Sequence, residues 1–152
     1  MLKKIFLFIL CLAPWFLNNL IPVGYDYYKE IIKPFFAPPP IFYGIAWTTI
    51  YIFITITTFN VVTNYKFKDI PKSYKITLLI NYLFNQSFTL VFFGLKSNFL
   101  GFISCLATLI STLFLYLETK NLINKKANYL IPYILLGIFA TILSLSIYLL
   151  NI

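Results

Sequence analysis

Few side chains in this sequence could carry out catalytic chemistry. The chain contains no His, and its carboxylates are limited to Asp26, Glu30, Asp69 and Glu118, which lie in or beside polar segments. Both cysteines, Cys11 and Cys105, lie inside apolar runs and lack a CxxC partner, so we interpret them as small buried apolar residues. The pattern offers no pairing of a nucleophile with a base and no cluster of metal ligands. The sequence therefore favours a binding function over hydrolytic or metal-dependent catalysis.

A second group of polar side chains lies inside apolar runs, where each is unfavourable unless it faces protein, water or a ligand. One run places two amides and two rings on one face of a helix: Asn81, Asn85, Phe88 and Phe92. The run before it places three aromatic residues four apart: Tyr43, Trp47 and Tyr51. If the two faces meet, they form a pocket for a planar, largely apolar ligand. The amides could instead join neighbouring helices, and the pattern leaves both interpretations open.

The elements that must position these residues are apolar runs long enough to cross a membrane. Of the 152 residues, 61% are apolar and 11% charged, unlike an ordinary soluble domain. The runs are apolar on all sides rather than alternating, which favours helices over a β-barrel. The sequence predicts an all-α integral membrane protein, one domain over residues 1–152 with a bundle of five transmembrane helices. The predicted spans are residues 5–23, 41–62, 76–93, 99–117 and 129–150.

The charge of the chain predicts how the bundle is oriented. The net charge of +8 comes from 12 Lys against four acids. These Lys residues lie in short gaps between apolar runs, so we expect the lipid bilayer as partner and no nucleic acid. Nine lie at the N-terminus and in the second and fourth loops, and three on the other side. Because Lys-rich short loops stay cytoplasmic, we expect the N-terminus in the cytoplasm and the C-terminus outside, in a plasma-type membrane.

The first loop, residues 24–40, is the long segment on the Lys-poor side. It is rich in Tyr and Phe and contains four prolines. Its composition suits a stiff aromatic cover over the bundle. It equally suits an aromatic belt that anchors two helix ends at the membrane interface.

Small residues recur every four positions in the fourth apolar run, at Ser104, Thr108 and Thr112. Such spacing lets helices approach closely. The close approach could occur within one bundle or between the subunits of a homodimer.

Three stretches resemble one known family. In YYKEIIKPFFAPPPIFYGIAWTTIY, from Tyr27 to Tyr51, an aromatic pair precedes a Lys-Pro, a Pro-Pro, and a Trp and Tyr four apart. The stretch NYLFNQSFTLVFFG, which starts at Asn81, and the stretch PYILLGIFATILSLSIYLLN, which starts at Pro132, resemble that family's third and fifth helices. The family is that of the translocator proteins, TspO, also called the peripheral benzodiazepine receptor or tryptophan-rich sensory protein.

The resemblance implies a five-helix bundle, often dimeric, whose pocket is closed by the first loop. Family members bind protoporphyrin IX, haem and related tetrapyrroles, so we expect a bound tetrapyrrole or similar planar ligand and no required cofactor. Carried over by position, the pocket residues are Tyr28, Trp47, Tyr51, Asn85, Phe88, Leu136 and Ala140.

The family resemblance is compatible with three functions. The first is the binding of tetrapyrroles for sensing or transport, the second is light-dependent breakdown of a bound porphyrin, and the third is a structural role with a vestigial pocket. Family members credited with breakdown have a fifth-helix Trp about four residues after the Pro-Tyr pair, where this chain has Leu136. We therefore expect binding with slow breakdown under light.

Overall fold

The computed structural model describes residues 2–22, 24 and 26–152. Val23, the last residue of the predicted first span, lies outside the described residues. Most of the described chain is helical, and its described residues contain no β-strand. They are α1 (Leu2–Leu12), α2 (Tyr27–Glu30), α3 (Pro40–Asn64), α4 (Lys72–Phe88), α5 (Asn98–Ile123) and α6 (Ile131–Leu150).

Four of these helices continue into, or are joined by, 3-10 or π-helical stretches. After α1 comes a 3-10 stretch, Ala13–Leu20, where Pro14 lacks the N–H that a regular α-helix needs. A π-helical stretch, Thr89–Gly94, follows α4. A 3-10 segment, Asn124–Leu130, joins α5 to α6.

The predicted five-helix membrane bundle is confirmed. Continuous helical stretches of membrane-spanning length and hydropathy cover Leu2–Leu20, Pro40–Asn64, Lys72–Gly94 and Asn98–Leu150. The last of them is 53 residues long and contains both α5 and α6. These two helices run antiparallel, because Phe99 contacts Tyr148 at one end and Tyr116 bonds Asn128 at the other.

α4 and α5 extend furthest beyond their predicted spans. α4 begins at Lys72, directly after Pro71, rather than at residue 76. α5 continues past residue 117 to Ile123, because Thr119 in its last turns is fully buried against protein rather than exposed in a polar gap. Asn124, with a φ of 51°, then ends the helix in a conformation that Asn tolerates better than most residues.

The interior divides into two halves along the bundle. We call one the packed half, a continuous apolar core that includes Ile54, Val61, Ile70, Tyr74, Leu115 and Leu130. The other is the cavity half, a smaller cluster built around Ile31, Phe92, Leu143 and Ile147. Small residues allow close helix packing at two places. At Gly137 an added Cβ would lie 3.2 Å from Leu109, and at Gly101 it would lie 2.6 Å from the Phe92 ring.

Candidate ligand-binding cavity

The cavity half contains a space of about 460 Å³, within the range of small-molecule sites. Side chains from all five membrane helices and from the first loop line it. Aromatic rings dominate the wall, among them Phe16, Tyr43, Trp47, Tyr51, Phe88 and Phe92. Lys29 is the one charged side chain among the described residues of the wall.

Six of the seven predicted pocket residues line this space: Tyr28, Trp47, Tyr51, Asn85, Phe88 and Ala140. Leu136 is the exception. It is half-buried and packs against the core cluster of the packed half, one turn before Ala140 on α6. The structure therefore brings six of these side chains together and separates the seventh, while their role in binding remains a prediction.

Tyr28 places the first loop over the cavity. Its hydroxyl lies 2.8 Å from the hydroxyl of Tyr43, and the two rings meet edge to face. Tyr27, its neighbour, donates to the Asn98 side chain at 2.8 Å. The Phe35 ring is fully exposed on the same loop. Tyr28 therefore lines the cavity and Phe35 faces outward, while the cover and the aromatic belt both stay predictions.

The loop is also joined to the end of α6. Asn151 accepts from the backbone N–H of Ile32 and donates to its carbonyl, both at 2.9 Å. Near the cavity mouth, Lys29 forms an exposed ion pair with Asp26 at 2.8 Å. The hydrogen bond from Lys29 and its charge lower the pKa of the Asp26 carboxyl.

Asn81 serves as a link between helices. Fully buried, it donates to the Ser111 and Thr112 hydroxyls at 3.0 and 2.9 Å and accepts from Tyr133 at 3.2 Å. It thereby joins α4 to both α5 and α6.

Asn85, one turn further along α4, lies in the cavity wall. It accepts from the Tyr51 hydroxyl at 3.1 Å and donates to the Tyr133 hydroxyl at 3.0 Å. Both amides therefore link helices, Asn81 away from the cavity and Asn85 between α3, α4 and α6, and Asn85 lines the cavity as well.

Two further polar residues, Asn18 in the cavity wall and Gln86 in contact with it, were missed by the sequence reasoning. Gln86 accepts from the Asn18 backbone N–H at 3.0 Å and donates to the Trp15 carbonyl at 3.2 Å, which holds the 3-10 stretch against α4. The Asn18 side chain lines the cavity and donates to Tyr51 and Thr89 at 3.5 and 3.4 Å. Both are polar residues inside apolar runs, so the argument that selected Asn85 could also have found them.

The π-helical stretch increases the number of side chains that α4 offers to the cavity. Thr89, Phe92 and Phe93 all line it. A π-helix is wider than an α-helix and is frequent at functional sites. In this chain it ends at Gly94, and the Phe92 ring of this stretch packs against Gly101 of α5.

Comparison with known proteins identifies relatives over nearly the whole chain. A sequence profile of the TspO/MBR family matches residues 6–150. A tryptophan-rich protein TspO of Bacillus cereus is 35% identical over 150 residues, which cover 98% of this chain and 97% of that protein. A tryptophan-rich protein TspO of Archaeoglobus fulgidus is 30% identical over 129 residues, 82% of this chain and 80% of that protein. An uncharacterized membrane protein of Bacillus subtilis, YtaB, is 33% identical over 128 residues.

Proposed function

The chain belongs to the TspO/MBR family of multi-pass membrane proteins, as its motifs predicted, and on that premise we propose that it binds a porphyrin, haem or similar planar apolar ligand. The ligand occupies the cavity beneath the first loop, for sensing or transport. The observation that carries the proposal is the cavity itself, about 460 Å³ in volume and walled by rings from several helices.

The chemistry of the wall supports a flat, largely apolar ligand. Trp47 lies 6.2 Å from the Tyr51 ring and 6.4 Å from the Tyr133 ring, and Phe88 stacks on Phe92 at 5.1 Å. Such rings offer broad faces for stacking, and few charges oppose an apolar body. The Asn85 amide supplies a polar contact that can orient the ligand.

Fluorescence titration with protoporphyrin IX tests the proposal, because the two tryptophans report on the cavity from different positions. Trp47 lines the cavity, whereas Trp15 is buried behind it and stacks on Tyr51 at 5.7 Å. We expect saturable quenching in the purified protein and in the variants Trp15→Phe and Trp47→Phe.

Loss of the indole of Trp47 should weaken binding. Stacking on one ring contributes on the order of 1 kcal/mol, so Trp47→Ala should raise the Kd roughly fivefold. Phe53→Leu is the matched control, since Phe53 stacks on Tyr129 at 6.1 Å and is outside the cavity wall. Absence of saturable quenching in the folded wild-type protein would refute the proposed function.

We also propose that the N-terminus faces the cytoplasm and the C-terminus the outside. The support is the Lys imbalance, nine on the side of the N-terminus against three on the other. The test uses Lys68→Cys, with Cys11 and Cys105 replaced by Ala. An impermeant maleimide should label this cysteine only after the cells are opened. Labelling of intact cells would show that the orientation is the opposite of the one proposed.

A further inference from the structure

Lys29 gives the cavity a positively charged edge. It is the one charged side chain in the described part of the wall, and it is 79% exposed to solvent. The other described residues of the wall are uncharged, and most of them are apolar or aromatic. A ligand whose apolar body lies deep in the cavity therefore has its outer end beside an ammonium group.

Asp26 is the partner of this ammonium, and the ion pair that they form is easily exchanged. The Lys29 Nζ donates to the Asp26 Oδ1 at 2.8 Å, and both side chains are largely exposed. An exposed ion pair contributes little to stability, because water screens it and two long side chains must be held in one geometry. An ammonium has three protons to donate, and Asp26 accepts one of them. A second carboxylate can therefore bind beside Asp26 or replace it without breaking a buried contact.

The other lysine of the first loop has a different position and different partners. The Lys33 ammonium donates to the backbone carbonyls of Tyr28 and Ile31, at 2.6 and 3.0 Å. It also lies 4.8 Å from the centre of the Tyr28 ring, and it is outside the described wall of the cavity. Lys33 thus stabilises the shape of the loop, and Lys29 is the cation that a ligand in the cavity can reach.

We propose that Lys29 is a specificity-determining residue of the cavity, which selects planar apolar ligands that carry a carboxylate on a short flexible chain. The apolar body lies among the rings that include Trp47 and Phe88, and the carboxylate takes the place of Asp26 on the Lys29 ammonium. The flexible chain is needed because the rings lie inside the bundle whereas the ammonium lies at its solvent edge. This inference rests on the proposed binding function and names the ligand chemistry of the same cavity.

Two pyrene derivatives of nearly equal shape test the charge of the ligand. Pyrene-1-butanoate carries a carboxylate at neutral pH, and pyrene-1-butanamide is its uncharged counterpart. Quenching of tryptophan fluorescence in a non-ionic detergent measures the affinity of each probe. Because the detergent takes up the two probes to different extents, the quantity compared between protein variants is the butanoate preference, the ratio of the affinity for the butanoate to the affinity for the amide.

Two variants of Lys29 assign the preference to its charge. Lys29→Met keeps an apolar side chain of similar length and loses the ammonium. Since an exposed charge pair changes affinity by about threefold, the butanoate preference should be about threefold lower in Lys29→Met than in the wild-type protein. Lys29→Arg keeps the charge and should keep the preference. Added salt should reduce the preference of the wild-type protein, because it screens an exposed pair.

Removing the competing carboxylate should have the opposite effect. Asp26→Asn leaves Lys29 without its anionic partner, so the butanoate preference should rise about twofold. A purely structural role of the ion pair would instead make Asp26→Asn and Lys29→Met change the binding of both probes in the same direction. Lys96→Met is the matched control. The charge of Lys96 acts on Asp26, but Lys96 is outside the described wall, so its loss should leave the butanoate preference unchanged.

The outcomes distinguish this inference from the proposed function. The same butanoate preference in folded Lys29→Met and in the wild-type protein would overturn the inference, and so would a lower preference in Asp26→Asn. An equal loss of preference in Lys96→Met would also overturn it, because net charge rather than Lys29 would then be responsible. In each of these cases the proposed function stands as long as the probes and protoporphyrin IX bind. If neither the probes nor protoporphyrin IX bind, the proposed function itself fails.

Discussion

Asn81 and Asn85 are the same residue type on the same face of α4, one turn apart, yet they meet different surroundings. In the packed half, Asn81 faces Ser111 and Thr112, small hydroxyl residues that allow α5 to approach and satisfy the amide completely. In the cavity half, Asn85 is held by Tyr51 and Tyr133 but also borders an open space. Both amides join helices, so the facing helices, rather than the amide itself, decide whether a polar residue in the membrane is enclosed by protein or also borders a cavity.

The largest effect is expected from removing the amide of the packed half. Asn81→Leu removes the buried acceptor of the Tyr133 hydroxyl proton and the amide donor to the Ser111 and Thr112 oxygens, whose own protons remain bonded to the Thr108 carbonyl. Unsatisfied buried groups cost about 1–3 kcal/mol each, so the unfolding free energy should fall by about 2 kcal/mol or more. Thermal unfolding in detergent measures this change. Asn85→Leu is the comparison and should lose less stability but more ligand affinity; the reverse order would remove the distinction between the halves.

An intermediate effect is expected at Gly101. A Cβ at this position would lie 2.6 Å from the Phe92 ring, which is buried and lines the cavity. Gly101→Ala should therefore push Phe92 into the cavity, cost about 1–3 kcal/mol of stability and weaken the binding of protoporphyrin IX. Gly44→Ala is the control for stability, since Gly44 also lines the cavity but no atom lies within 4 Å of its added Cβ. Equal stability of the two variants would show that the Phe92 ring moves aside without cost.

A smaller effect is expected at position 136, which belongs to the packed half. Breakdown of a porphyrin by light needs an oxidisable side chain close to the excited ring, and a Leu cannot supply one. We expect the wild-type protein to degrade bound protoporphyrin IX slowly. Leu136→Trp should raise the rate modestly, because Leu136 packs beside the core and outside the cavity wall. Decay of the porphyrin absorption band under fixed illumination measures the rate. Fast decay in the wild-type protein that depends on Trp47 would instead support an enzyme.

The smallest effect is expected at the exposed ion pair of the first loop. Lys29 lowers the pKa of the Asp26 carboxyl in the folded protein. The ion pair therefore stabilises the fold at a pH above the usual Asp pKa of about 3.9, and this stabilisation is lost as the pH falls through the lowered pKa. Both side chains are largely exposed, so water screens the pair. Asp26→Asn should leave the Tm at pH 7 unchanged within error. A clear drop would show that the pair holds the loop in place.

The sequence predicted the bundle better than it predicted the cavity wall. Apolar runs and the spacing of Asn85, Trp47 and Tyr51 are local patterns, and helix geometry converts them directly into faces. The position of Leu136 depends on how α6 is rotated against its neighbours, and no local pattern encodes that rotation. Asn18 is a polar residue inside an apolar run, so the sequence could have indicated it, whereas the contribution of the π-helical stretch depends on packing at Gly101, which forms only once the helices have assembled.

The pair of bonds between Asn151 and Ile32 has a mechanical consequence. A side-chain amide that both accepts from and donates to one backbone residue imitates a peptide group, as in a single rung of a sheet. Through this rung the last turn of α6 and the segment above the cavity are coupled as one body, although 119 positions separate them along the chain. We therefore expect a tilt of α6 to displace the loop and so to change the entrance to the cavity.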